Sequence, residues 1–130
     1  MSDATPYDQI GGERLAAIVD RFYDLMDEDP AYAGLRAMHA ADLGPMRASL
    51  TGFLTAWLGG PRDWFGARPG TCIMSLHGAM AIGPDVANQW IEAMERAIAA
   101  ERGLAPDLSV TVSRALGRMA RAMARMPQAA

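Results

Sequence analysis

Apolar residues recur every three or four positions through most of the chain, which is the spacing of one face of an α-helix. Glycine and proline breakers separate three such stripes. The first stripe consists of Leu15, Ile18, Val19, Phe22 and Met26. The second, after a candidate N-cap at Asp42, consists of Leu43, Met46, Leu50, Phe53, Leu54, Trp57 and Leu58. The third, after Gly83 and Pro84, consists of Val86, Trp90, Met94, Ala97 and Ile98.

A fourth helix is predicted to begin near Pro106 and Asp107, and its charges fall on one face. The charged positions lie within about 60° of one another at 100° per residue, and they are Arg114, Arg118, Arg121 and Arg125. Such a face is either a solvated surface or a patch for an acidic partner or a membrane surface. We favour the solvated surface, because the protein as a whole is acidic. Strand-like alternation occurs only at 108–112, inside the helical pattern, so the predicted fold class is all-α.

Composition narrows the class of protein further. The chain has 130 residues, of which 51% are hydrophobic and 21% charged, so we expect one folded domain over 1–130. The net charge is −3, which argues against binding of nucleic acid. All 12 cationic residues are arginine, which excludes lysine chemistry, and the single cysteine excludes an internal disulfide. No signal pattern and no apolar run of about 18 residues occurs, so we expect a cytoplasmic protein without a membrane partner.

The two histidines are the most informative candidates for chemistry. His39 and His77 do not form the paired-histidine motif of a zinc site, and no carboxylate pair or nucleophile elbow is present. Haem differs from a bare metal ion, because its iron already has four nitrogen ligands and needs one axial histidine. Ten Met, three Trp and three Phe could line a pocket for it. The residues alone leave open whether His77 is a ligand or a structural histidine.

Residues 6–98 resemble the truncated haemoglobins, and within them group II. The segments that carry the resemblance are PYDQIGG (6–12), DRFYDLMDEDP (20–30), LRAMH (35–39), FLTAWLGGPRDWF (53–65), His77 and IGPDVANQW (82–90). The resemblance implies a two-over-two helical sandwich with a very short first helix. It also implies that the glycine pairs at 11–12 and 59–60 form the turns that let this shortened fold close.

The resemblance assigns roles to individual residues. It implies that His77 ligates the haem iron and that Tyr23 and Trp90 direct an O–H and an N–H at the bound ligand. The other pocket residues that it implies are His39 on the ligand side, Met46 and Leu50 on the crossing helix, and Phe53 and Leu54 in the packing signature. Hydrogen bonds from such donors to a partly charged ligand are worth roughly 1.5–3 kcal/mol each.

The segment before His77 departs from the family pattern. The family has His-Pro and two arginines there, and this chain has neither between 70 and 77. Arg68 and Arg62 are the candidates that would hold the haem propionates instead. We also expect Met74 and Met80, on either side of His77, to contact the haem.

Three functions follow from the resemblance. The first is a globin with haem b that reversibly binds O2, and also CO, NO or sulfide, in oxygen transport, storage or sensing. The second is a haem enzyme, such as an NO dioxygenase, a nitrite reductase or a peroxidase-like protein, that depends on a reductase. The third is a haem-free interaction protein with a globin fold, which the missing arginines favour. A monomer or a homodimer is expected in each case.

Overall fold

The computed structural model describes residues 4–63 and 82–124, and within these residues all regular structure is helical. The helices, numbered in chain order over these residues, are α1 (Pro6–Ile10), α2 (Gly12–Glu28), α3 (Ala33–Ala37), α4 (Gly44–Trp57), α5 (Pro84–Ala99) and α6 (Pro106–Ala124). A 3-10 turn, Pro30–Tyr32, joins α2 to α3. The predicted all-α class and the predicted helix starts near Pro84 and Pro106 are confirmed.

The core lies where α2 crosses its neighbours. α2 packs against α4 and α5, and α5 packs against α6. Every member of the first predicted stripe is buried. The predicted helix is confirmed in α4, but the second predicted apolar stripe is broader than the face of α4 that is buried. Phe53 and Leu54 are buried, whereas Met46 and Trp57 are each 38% exposed.

Close contact between the short α1 and the end of α4 depends on glycine. The Tyr7 N–H donates to the Leu58 carbonyl at 3.0 Å. A Cβ at Gly60 would lie 2.6 Å from the Tyr7 ring, so a side chain there would displace that ring. Gly59 has φ +97° and Gly11 has φ +88°, which is left-handed backbone that glycine adopts at little cost. The expected glycine turns are therefore present at both places.

The predicted arginine face of α6 is also confirmed as far as the structure describes it. Arg114, Arg118 and Arg121 are exposed, and Leu116 is buried on the opposite side. Arg125 lies outside the described residues. None of the helices that the structure describes is long and apolar enough to cross a membrane.

An arginine on α5 fastens the segment that follows α2. Arg96 Nη1 donates to Asp29 Oδ2 and to Tyr32 Oη, each at 2.9 Å. The hydrogen bond to Tyr32 and then the one to Asp29 raise the pKa of Arg96. The Ala31 N–H and Arg96 together lower the pKa of Asp29. The charged forms are thus favoured, and they hold α5 to the turn at Pro30–Tyr32.

Candidate functional site

Four ring side chains from three parts of the chain meet beside α2. Phe22 and Tyr23 are neighbours on α2, with ring centroids 5.0 Å apart. Phe22 also contacts Trp90 on α5 edge to face at 5.3 Å. Tyr23 contacts His39, just beyond α3, edge to face at 5.9 Å. The sequence analysis placed Tyr23, His39 and Trp90 on the ligand side. Ring contacts, some of them made by Phe22, join these three residues in the structure.

Tyr23 is the most deeply buried polar member of this aromatic cluster, which comprises Phe22, Tyr23, His39 and Trp90. The Tyr23 side chain is 2% exposed, because its position on α2 faces the core. Burial raises the pKa of Tyr23 to about 12, although the nearby Arg47 charge lowers it. The phenol, like any tyrosine, is protonated at neutral pH and can act as a donor, and burial extends this to higher pH. Among the residues that the structure describes, none accepts or donates a hydrogen bond at the Tyr23 hydroxyl.

Arg47 is a neighbour of Tyr23 that sequence analysis missed. Its guanidinium lies 5.7 Å from the centre of the Tyr23 ring. Nη1 donates to the backbone carbonyl of Asp20 at 3.0 Å and to its Oδ1 at 3.2 Å, and Nη2 donates to Asp24 Oδ1 at 2.8 Å. The hydrogen bond to Asp24 contributes most to the raised pKa of Arg47. Arg47 thus ties α4 to α2 directly over the tyrosine.

His39 is half-buried and uses one ring nitrogen on the backbone. Its Nδ1 lies 2.9 Å from the carbonyl oxygen of Leu35, one turn earlier. A carbonyl oxygen has no hydrogen to give, so Nδ1 must be the donor. The neutral ring then has no hydrogen on Nε2.

Trp90 lies on α5, which begins where the sequence predicted, after Gly83 and with Pro84 in its first turn. Its indole is half-buried and packs against the core. The preceding residue, Gln89, accepts a hydrogen bond from the Leu35 N–H at 2.9 Å. α5 therefore contributes both a ring to the aromatic cluster and a polar contact to α3.

The structure describes part of the remaining predicted site. Phe53 and Leu54 are buried, Leu50 is half-buried against the core, and Met46 is exposed near the start of α4. Four other predicted site residues lie outside the described residues, and they are His77, Arg68, Met74 and Met80. Arg68 is one of the two arginines predicted to hold the haem propionates, and Arg62 is the other. Arg62 is described and exposed.

Sequence signals for the missed residues are weak. Asp20 and Asp24 stand one helical turn apart on α2, a spacing that presents two carboxylates to one cation. Nothing in the local sequence indicates that Arg47 is that cation. Gln89 stands beside Trp90, but its contact with Leu35 joins residues 54 positions apart, and no local pattern predicts it.

Comparisons with known proteins agree with this arrangement of helices. The sequence profile of the bacterial-like globins matches residues 5–125. A group 2 truncated haemoglobin of Bacillus subtilis, YjbI, is 29% identical over 93 residues, which are 72% of this chain and 68% of that protein.

Solved structures of truncated haemoglobins resemble this protein over a larger share of the chain. The group II 2-on-2 haemoglobin of Agrobacterium tumefaciens superposes with a TM-score of 0.88 at 30% identity, covering 95% of each chain. The cold-adapted truncated haemoglobin of Pseudoalteromonas haloplanktis TAC125 superposes with a TM-score of 0.87 at 30% identity, covering 93% of this chain and 98% of that one. The fold is thus that of a globin. The chain belongs to the bacterial-like globins and, among them, to the group II truncated haemoglobins.

Proposed function

We propose that the protein binds haem b through His77 and reversibly binds O2 on the side of Tyr23. The observation that carries the proposal is the buried Tyr23 side chain, whose ring contacts the His39 ring and whose hydroxyl bonds no described residue. The assignment of His77 rests on the resemblance to the family. CO, NO and sulfide are further ligands of the same site, and transport or storage of O2 in the cytoplasm is the role that we infer.

The described residues fit haem by the chemistry of their donors. Tyr23 and Trp90 carry an O–H and an N–H, and the described residues give neither of them a hydrogen-bond acceptor. Phe22 packs against both rings and makes their surroundings apolar. Bound haem would supply ferrous iron, which passes partial negative charge to a diatomic ligand. His77 would hold that iron, and Leu50, Phe53 and Leu54 would supply apolar contacts.

The side chains of this chain would then act as donors and as a barrier to water. Tyr23 Oη donates its hydrogen to the ligand and keeps its proton at neutral pH as an ordinary phenol does, and burial, which raises the pKa of the phenol to about 12, extends this to higher pH. The Trp90 indole donates a second hydrogen. A hydrogen bond to a charged acceptor is worth roughly 1.5–3 kcal/mol, which slows ligand release about tenfold or more. Phe22 stabilises both donors, because its ring packs against Tyr23 and Trp90.

A visible absorption spectrum tests haem binding and its ligand together. We expect a Soret band from the purified protein in the ferric and ferrous states, and a weakened or shifted band in His77→Ala. His39→Ala is the matched control, because His39 is the other histidine of the chain, and we expect it to keep the band.

Two outcomes would contradict the proposal. A His77→Ala protein with an unchanged spectrum would exclude His77 as the iron ligand. A wild-type protein without a Soret band after haem is added would exclude haem binding and favour a haem-free interaction protein.

A further inference from the structure

The side chain of Gln89, on α5, supplies a hydrogen-bond acceptor to the short helix α3. Leu35 is the third residue of α3, and the first N–H groups of a helix have no partner within it. The residue before α3, Tyr32, gives no side-chain cap. Gln89 Oε1 accepts the Leu35 N–H at 2.9 Å instead. The beginning of α3 is thus held by α5.

A glycine makes room for this contact. A Cβ at Gly34 would lie 3.2 Å from Gln89 Nε2 and 3.4 Å from Oε1, closer than most side-chain contacts. The amide of Gln89 therefore rests directly on the backbone of α3. This close fit fixes where Leu35 stands relative to α5.

The same residue, Leu35, holds the imidazole of His39. Its carbonyl oxygen accepts from His39 Nδ1 at 2.9 Å, and the His39 ring contacts Tyr23. Leu35 thus bonds Gln89 through its N–H and His39 through its carbonyl. One path of two hydrogen bonds runs from α5 to the ring beside Tyr23.

We propose that Gln89 is a positioning residue that fixes Leu35 and, through the Leu35 carbonyl, keeps His39 protonated on Nδ1. His39 then presents a hydrogen-bond acceptor, Nε2, in a cluster where Tyr23 and Trp90 are donors. The sequence analysis placed His39 on the ligand side, and the inference gives it the role of a hydrogen-bond acceptor there. Its meaning for ligand binding rests on the proposed function, whereas the path of hydrogen bonds itself does not.

Nuclear magnetic resonance reports on both hydrogen bonds of this path. Long-range ¹H–¹⁵N spectra show which ring nitrogen of His39 carries the proton, and amide exchange shows how well the Leu35 N–H is held. Carbon monoxide added to the reduced protein keeps any bound haem diamagnetic. We expect the proton of neutral wild-type His39 on Nδ1.

Two variants of Gln89 separate positioning from mere packing. Gln89→Met has a similar length but no oxygen acceptor, and we expect Leu35 amide exchange to accelerate about tenfold and His39 to become a mixture of tautomers. Gln89→Glu keeps an oxygen at the same place, and we expect it to preserve both signals. If Gln89→Met does not fold, Gly34→Ala replaces it, because the added methyl presses on the same amide and predicts the same two changes.

Three results would overturn the inference. They are a wild-type His39 with its proton on Nε2, a Gln89→Met protein with unchanged Leu35 exchange and His39 signals, and a Gln89→Glu protein that behaves like Gln89→Met. The visible spectrum of the same sample reports separately on haem. A sample without a Soret band contradicts the proposed function, while the tautomer and the amide exchange still decide the role of Gln89.

Discussion

Two buried tyrosines, Tyr23 and Tyr32, have similar surroundings but different hydroxyl partners. Tyr23 is 2% exposed and Tyr32 is fully buried. Each ring has a guanidinium 5.7 Å from its centre, Arg47 for Tyr23 and Arg96 for Tyr32. The Tyr32 hydroxyl accepts a hydrogen bond from Arg96, whereas no described residue bonds the Tyr23 hydroxyl.

We propose that this difference separates a structural tyrosine from one that bonds a ligand. The hydrogen bond from Arg96 to Tyr32 compensates for the burial of its hydroxyl and fastens α5 to the turn after α2. No described side chain buries a nitrogen or oxygen atom without a hydrogen-bond partner, so the Tyr23 hydroxyl, which no described residue bonds, is accessible to a partner that is not part of the described fold. A bound ligand is such a partner. Arg47 faces the ring of Tyr23 and is itself held by Asp20 and Asp24, so it does not replace that ligand.

The largest expected effect is the loss of stability at high pH that Tyr23 causes. The folded protein keeps the phenol protonated to about pH 12, whereas the unfolded chain releases that proton near pH 10. The contribution of Tyr23 is therefore fully present below pH 10 and is lost as the pH rises through about 12. Two pKa units correspond to about 2.7 kcal/mol. Urea denaturation should show wild type losing most of that amount, about 2 kcal/mol, relative to Tyr23→Phe between pH 9 and pH 12.

A constant difference between wild type and Tyr23→Phe over that pH range would contradict the assigned burial of the phenol. Tyr7→Phe is a useful control, because Tyr7 lies on α1 and its ring packs at Gly60.

The next effect concerns the hydrogen bond of Tyr32. Removing the hydroxyl in Tyr32→Phe loses the bond from Arg96, and we expect the free energy of unfolding at pH 7 to fall by about 1–1.5 kcal/mol. Tyr23→Phe loses no hydrogen bond within the described fold, so its stability should stay within about 0.5 kcal/mol of wild type. Chemical denaturation of the two variants measures this directly. If both lose the same stability, the two hydroxyls do not differ as the structure indicates.

The smallest effect belongs to Arg47. Arg47→Met removes half-exposed ion pairs and the contact with the Tyr23 ring, and we expect a loss of about 0.5–1 kcal/mol in the free energy of unfolding. The pKa of Tyr23 should also rise further, because the positive charge that lowers it is gone. Ultraviolet titration of tyrosine absorbance, compared with Tyr23→Phe, measures that change. A lower pKa in Arg47→Met would mean that Arg47 does not act on Tyr23 by its charge.

Local patterns in the sequence predicted most of the fold. The spacing of Leu15, Ile18 and Phe22 fixes the buried face of α2, and Pro84 and Pro106 mark helix starts because proline suits the first turn. The same patterns did not predict the exposure of Trp57. Which members of a broad apolar stripe are buried depends on how two helices cross, and the spacing within one helix does not contain that information.

For the candidate site, the sequence predicted which residues take part but did not predict the contacts that hold them. The resemblance pointed to Tyr23, Trp90 and His39, and these residues do meet in one cluster. The contacts that prepare them are non-local, because Arg47 bonds residues of another helix and Gln89 bonds Leu35 across 54 positions. A single sequence carries no signal for such pairs, so the tautomer of His39 emerges only from the three-dimensional arrangement.

The central claim is that Tyr23, unlike Tyr32, donates a hydrogen bond to the bound ligand. The rate of O2 release tests it most directly, because it compares variants of the two tyrosines in the protein with haem and O2 bound. If Tyr23 donates to the ligand, Tyr23→Phe should release O2 about tenfold faster or more, which corresponds to a hydrogen bond of roughly 1.5 kcal/mol. Tyr32→Phe should release O2 at the wild-type rate. An unchanged rate in Tyr23→Phe, or an equal acceleration in both variants, would contradict the account.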